Sequence, residues 1–181
     1  QVETLAAYGK EIIDDYPSYT AATAIVETAE KITGTEAATQ QFILVVGALR
    51  AIAQRDHDVR LILDSYLLRA LALAGWAPNF DSCTGCSKPG PHRAFQLQIG
   101  GVVCDSCKPA GAVVLDTETS LLLGSLLAGD WDYADQSSDK ARASASWVFC
   151  RPRAASASRP RAFRASGSHP ARPASFRPLP G

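Results

Sequence analysis

The sequence predicts a mainly α protein: a helical bundle interrupted once by a short β-hairpin and followed by a disordered tail. Three observations carry that expectation. Apolar residues recur at helical spacing over residues 1–80 and again over 113–146. Between them, over 81–112, the pattern switches to strict alternation flanked by cysteine pairs. From 147 to 181 the chain is almost entirely Arg, Pro, Ala, Ser and Gly.

The elements follow in order. Val2, Leu5, Ala6, Ile12 and Ile13 outline a first helix over 2–14, ended by Pro17 and Ser18. A second, over 18–33, carries the stripe Tyr19, Ala22, Ile25 or Val26, Ala29 and Ile32, with Gly34 as its C-terminal cap. The third, over 36–54 behind Thr35, is expected to bury Phe42, Val45, Val46, Leu49 and Ile52 and to expose Gln40, Arg50 and Gln54. Asp58 caps a fourth over 59–74, apolar nearly all round from Leu61 to Leu73, which is the pattern of a central bundle helix. Gly75 ends it. A leucine-rich helix restarts behind Asp116 or Thr117, and Gly129-Asp130 stops it.

Cys83, Cys86, Cys104 and Cys107 form two Cys-x-x-Cys pairs separated by seventeen residues, the spacing of a structural zinc site. Each pair sets two thiolates on one side of a tight turn, and two such turns complete a tetrahedron with Zn–S distances of about 2.3 Å. Phe95, Leu97 and Ile99 alternate with Ala94, Gln96 and Gln98 before Gly100-Gly101 turns the chain into Val102-Val103, a hairpin between the two knuckles. The fold class is therefore a helical bundle with an inserted zinc-ribbon-like β-hairpin, with one structural zinc ion expected. Disulfides and thioredoxin-type redox chemistry are the competing uses of these thiols. The first needs an oxidising compartment, and the second needs one pair at a helix start rather than two matched pairs. His92, between Pro91 and Arg93, reads as a solvated loop residue rather than a substitute ligand.

Net charge is zero, but it is unevenly spread: residues 1–140 carry 10 Lys and Arg against 18 Asp and Glu, and 141–181 carry 8 Arg and no acid. Six of the eleven prolines fall between Pro152 and Pro180, too dense for a helix. Such a tail serves as an arginine arm for phosphates, or is what a shifted reading frame in a high-GC gene encodes. The second reading is preferred, because Trp147-Val148-Phe149-Cys150 offers no helix continuation. No stretch has the roughly 18 consecutive apolar residues of a membrane helix. The chain holds no methionine, so it is expected to be part of a longer protein. A soluble cytoplasmic location is expected.

A family resemblance rests on Tyr66-Leu67-Leu68-Arg69-Ala70, Ala74-Gly75-Trp76-Ala77-Pro78, Cys83-Thr84-Gly85-Cys86, Pro91-His92-Arg93-Ala94-Phe95 and Gly101-Val102-Val103-Cys104. Tyr19-Thr20 and Ala24-Ile25-Val26-Glu27-Thr28-Ala29-Glu30 add to it. Over residues 1–146 the chain resembles the bacterial DNA repair family RecO, of actinobacterial type. The resemblance implies an OB-fold ahead of Gln1, a helical bundle with a lodged zinc finger, and a place in the RecF pathway. It implies binding of single- and double-stranded DNA, strand annealing, and loading of RecA, together with RecR, onto strands covered by single-strand binding protein, with nucleoid association. Such proteins are mediators and not enzymes. The family's last bundle helix is expected to be replaced here by the Arg and Pro tail.

Annealing needs a cationic surface and no nucleophile. His57, His92 and His169 all fall in expected loops, and no triad, metal-hydrolase spacing or phosphate-cradling Gly-rich loop appears. Lys88, Arg93 and Lys108 are the nucleic-acid-binding candidates on the zinc segment, opposed by Asp81 and Asp105. The acidic excess before residue 141 predicts weak DNA binding by this part alone. Two other classes stay open: a zinc-stabilised protein-interaction module, and a zinc-ribbon transcription or translation factor, which would leave the apolar bundle unexplained.

Overall fold

The computed structural model describes residues 9–32 and 38–150, without the side chains at 38, 147, 149 and 150. Gln1–Arg151 is one compact unit, and the second, Pro152–Gly181, lies outside the described residues. Residues 9–13 are helical. Then come α1 (Tyr16–Ile32), α2 (Ala38–Gln54) and α3 (Val59–Leu73). The insertion supplies β1 (Ala94–Gln96), a 3-10 turn (Leu97–Ile99), β2 (Gly101–Val103) and β3 (Val113–Val114). The bundle resumes with α4 (Thr117–Ala128), α5 (Trp131–Gln136) and α6 (Asp139–Cys150). Gly34 and Thr35, expected as caps, fall outside the described residues, as do Val2, Leu5 and Ala6.

Short polar residues set the helix starts. Asp58 Oδ1 accepts from the Arg60 N–H at 2.8 Å, and Asp116 Oδ1 accepts from the Thr119 N–H at 2.7 Å, each satisfying a donor that the first turn leaves unpaired. Gly129 ends α4 in the left-handed region, φ 81°, where a Cβ is disfavoured. Asp130 then caps α5, a short helix the periodicity did not reveal.

Helix α3 is the centre, packed by α1, α2, α4 and α6. One core joins Leu61 and Leu68 of α3 to Leu122, Leu123 and Leu126 of α4 and to Ala141, Ala145 and Val148 of α6. The other joins Ala21 and Ile25 of α1 to Ile52 of α2 and to Ile62, Tyr66 and Ala70 of α3. Each such leucine or isoleucine stabilises the fold by about 1.5–3 kcal/mol. Phe95 and Val102 belong to the first core, so the insertion is anchored in the bundle.

Several expectations are corrected. Helix α6 runs through Trp147-Val148-Phe149-Cys150, and Val148 is buried, because alanines at 141 and 145 let α6 approach α3 and α4 closely. Helix α6 therefore takes in residues 147–150, the first four residues expected in the tail. On α2 the buried face is turned. Phe42 and Val46 are exposed, while Gln41 is 1% exposed. Gln41 Nε2 donates to the Ala70 carbonyl at 2.9 Å, a bond that offsets amide burial and fixes the rotation. On α1, Ile25 is buried but Tyr19 and Val26 face outward. The alternation after Gln96 gives way to the 3-10 turn, leaving Leu97 and Ile99 half exposed. Strand β3 was not foreseen. It makes β1 the central strand, in the order β2-β1-β3, with Phe95 opposite both Val102 and Val113.

Candidate metal centre

The two cysteine knuckles are built by backbone hydrogen bonds. The Ser87 N–H donates to the Cys83 carbonyl at 2.7 Å, and the Cys107 N–H donates to the Cys104 carbonyl at 3.0 Å, closing each Cys-x-x-Cys segment into one turn. Ser87 sits at φ 59°, where the first knuckle leaves the turn. The Lys88 carbonyl accepts from the Cys83 N–H at 2.9 Å and from His92 Nε2 at 2.8 Å. His92 therefore clamps the loop behind the first knuckle and stays outside the thiol cluster.

The sheet brings the knuckles together. The Thr84 N–H and Oγ1 both donate to the Val102 carbonyl, at 2.9 and 3.1 Å, tying the first knuckle to β2, which leads directly into Cys104. A Cβ on Gly85 would stand 3.2 Å from Cys107 Cβ and 3.3 Å from its sulfur, and one on Gly101 would stand 2.2 Å from Thr84 Oγ1. Both glycines exist here for close approach. The sequence pattern marks Gly101 only as a turn residue beside Gly100 and assigns Gly85 no role.

The result is four sulfurs, of Cys83, Cys86, Cys104 and Cys107, all within 4.8 Å of one another. Cys86 and Cys104 sulfurs are 3.7 Å apart, and the Cys104 N–H donates to Cys83 Sγ at 3.3 Å. That N–H, helped by those of Cys86 and Gly85, holds the Cys83 thiol down to about 6. Hydrogen bonding to the sulfurs of Cys104, Cys86 and Cys83 pushes the Cys107 thiol up to about 12. Four thiolates this close repel one another, so full ionisation calls for a cation among them. The donor set is all sulfur and closed, which fits one tetrahedral metal ion and leaves no position for substrate.

The candidate cations are placed differently from one another. Lys88 and Lys108 are exposed, on the chain segments leaving the two knuckles. Arg93 Nε donates to the Leu115 carbonyl at 3.3 Å, beside the Leu115 N–H bond to the Arg93 carbonyl at 2.7 Å, so its guanidinium also pins the insertion to the entry of α4. Asp81 and Asp105 are exposed. His57 pairs with Asp135 at 2.7 Å, so both described histidines have structural tasks, and His169 is outside the described residues. Among those residues no helix is long and apolar enough to cross a membrane.

Fold and site together define a class: a helical bundle with a hairpin, anchored in its core, whose four clustered cysteines could hold a metal ion. Residues 13–148 match the family described as recombination protein O C terminal, and the chain belongs to that family. It is 49% identical over 144 residues to the DNA repair protein RecO of Thermobifida fusca, covering 78% of this chain and 59% of the relative. It is 50% identical over 137 residues to the DNA repair protein RecO of Streptomyces coelicolor, covering 75% and 55%. The chain thus spans somewhat more than half the length of these curated relatives.

Proposed function

We propose that this chain is the helical and metal-binding part of a DNA repair and recombination mediator. The observation that carries the reading is its 49% identity to a protein named DNA repair protein RecO over 144 residues that include the whole cysteine segment. In this reading Cys83, Cys86, Cys104 and Cys107 hold one structural zinc ion. When bound, it supplies charge compensation for the thiolates and folding free energy for the hairpin. The bundle then presents the hairpin as a rigid arm, and Lys88, Arg93 and Lys108 neutralise phosphates while leaving bases free to pair. The work is annealing of complementary strands and, with RecR, assistance to RecA on strands covered by single-strand binding protein, in the cytoplasm at the nucleoid. It requires no nucleophile or general base, so no enzymatic step is assigned.

A salt titration of single-strand binding and of strand annealing tests this. The reading expects binding that weakens steeply with salt and falls further in Lys88→Gln with Lys108→Gln. Binding absent at low salt contradicts it. A second reading, a protein-interaction module without DNA binding of its own, is favoured by one feature. Phe42, Ile43 and Val46 form an exposed apolar face on α2, next to an acidic excess over residues 1–140. Salt-insensitive capture of RecR or of single-strand binding protein, lost in Phe42→Ser, would select it.

A further inference from the structure

Helix α3 ends in a turn that fixes a tryptophan in solvent. The Gly75 N–H donates to the Ala72 carbonyl at 3.0 Å and the Trp76 N–H to the Leu71 carbonyl at 2.8 Å, with Gly75 in the left-handed region at φ 87°. This is a Schellman closure, which satisfies the last helical carbonyls and holds the backbone of the residue after the glycine. Pro78, two residues on, restricts the chain further. In such turns the residue after the glycine commonly packs back on its own helix, yet Trp76 is 75% exposed.

Beside Trp76 the surface is hollow. A cavity of about 470 Å³ is lined by the half-buried Leu71, Pro78 and Phe80, and its rim carries Trp76, Leu97 and Ile99, the last two about half exposed. Gln98 brings a carboxamide to the lining, and no charged side chain takes part in it.

Charge separates this face from the rest of the bundle. Residues 70–80 and 94–103 contain no charged side chain, whereas residues 1–140 as a whole carry 10 Lys and Arg against 18 Asp and Glu. In a two-fold pair both copies use the same patch, so a charge near the axis meets its own kind. An uncharged face escapes that repulsion, and the acidic faces around it do not. The patch also holds both halves of a fit, a projecting ring and an apolar hollow next to it.

We propose that this face is an interface between two copies of the chain, in which Trp76 of each copy enters the hollow of the other and rests on Leu97 and Ile99. The indole N–H then needs an acceptor. Gln98 Oε1, which already accepts from Gln96 Nε2, keeps a second lone pair for it. One tryptophan and two aliphatic residues per copy make a small patch, which places the dimer in the weak class that buries less than about 1,200 Å². The pairing goes beyond the DNA-handling reading and does not depend on it.

Sedimentation velocity of the whole chain, over roughly 1 to 300 μM to span a weak dimer, tests this at low salt and at about 1 M salt, where charge contacts are screened beyond about 3 Å. The expected result is a monomer–dimer equilibrium that persists in high salt. Trp76→Glu should weaken it roughly tenfold or more with an unchanged helical spectrum. Leu121→Glu, the same charge change at an exposed leucine outside this cavity, should leave it intact. A benzophenone amino acid placed at position 76 should crosslink, within the dimer, to residues 97–100 of the other copy. A chain that stays monomeric throughout overturns the proposal, as does a dimer that is lost in high salt, is indifferent to Trp76→Glu, or dissociates equally in Leu121→Glu. Growth past the dimer into larger species overturns the two-fold pairing.

Discussion

Asp64 Oδ2 accepts a 2.6 Å hydrogen bond from Ser146 Oγ in the interior of the bundle, joining the central helix α3 to the last helix α6. Asp64 is 4% exposed, and among the described residues no ion-pair partner reaches it. Burial pushes its carboxyl up to about 6, with Ser146 opposing and the charge of Asp58 adding to the shift.

The sign of the resulting pH effect follows from linkage. The folded chain holds the Asp64 proton more tightly than the unfolded chain, whose carboxyl has its ordinary value of 3.8. Its contribution to stability is therefore fully present below about pH 4 and is lost as pH rises through about 6. Asp64→Asn, which keeps a group able to bond Ser146, should be stabilising at pH 8 by up to about 3 kcal/mol and nearly neutral at pH 4. Urea unfolding of both proteins across that range checks it, and a difference that does not change with pH contradicts it.

Val148 tests the placement of the last helix. It is 3% exposed, in the core with Leu122 and Leu123, so Val148→Ala should cost about 2 kcal/mol. An unchanged unfolding midpoint would return residues 147–150 to the tail.

Gly101 and Gly47 should respond oppositely to alanine. At Gly101 the new Cβ would lie 2.2 Å from Thr84 Oγ1 and 2.9 Å from the Asn79 carbonyl oxygen, so Gly101→Ala displaces the first knuckle and lowers metal affinity. At Gly47 the space is open, and Gly47→Ala should raise stability by about 0.5–1 kcal/mol. Thermal melts and competition with a zinc chelator read the two effects.

Removing one thiol should uncouple hairpin from bundle. Cys83→Ser or Cys104→Ser is expected to release the metal and loosen β1 and β2, while the two bundle cores keep most of the helical circular dichroism. Retained metal in either variant contradicts a four-thiolate site.

Much of this fold was legible because it rests on local signals: Asp58 and Asp116 as caps, Gly129 as a stop, and the all-apolar α3. The cysteine spacing likewise pointed to the site. What was missed depends on partners far away in sequence. The rotation of α2 is set by Gln41 reaching Ala70, which a rule that buries apolar residues and exposes polar ones reverses. Helix α6 was obscured by its composition, since small residues such as Ala141 and Ala145 mark close packing only once α3 and α4 are known to face them. Strand β3 has two residues, too few for alternation to register, and the His92 clamp depends on the turn that brings the Lys88 carbonyl to it.

Zinc and reactive thiols counted in one sample of the whole chain bear most directly on the claim that four thiolates hold this scaffold around one structural metal. One zinc per chain is predicted, with four of the five cysteines becoming reactive only as a chelator removes it. A chain purified under reducing conditions with no bound metal, its four thiols freely reactive while the hairpin stays folded, would contradict the account.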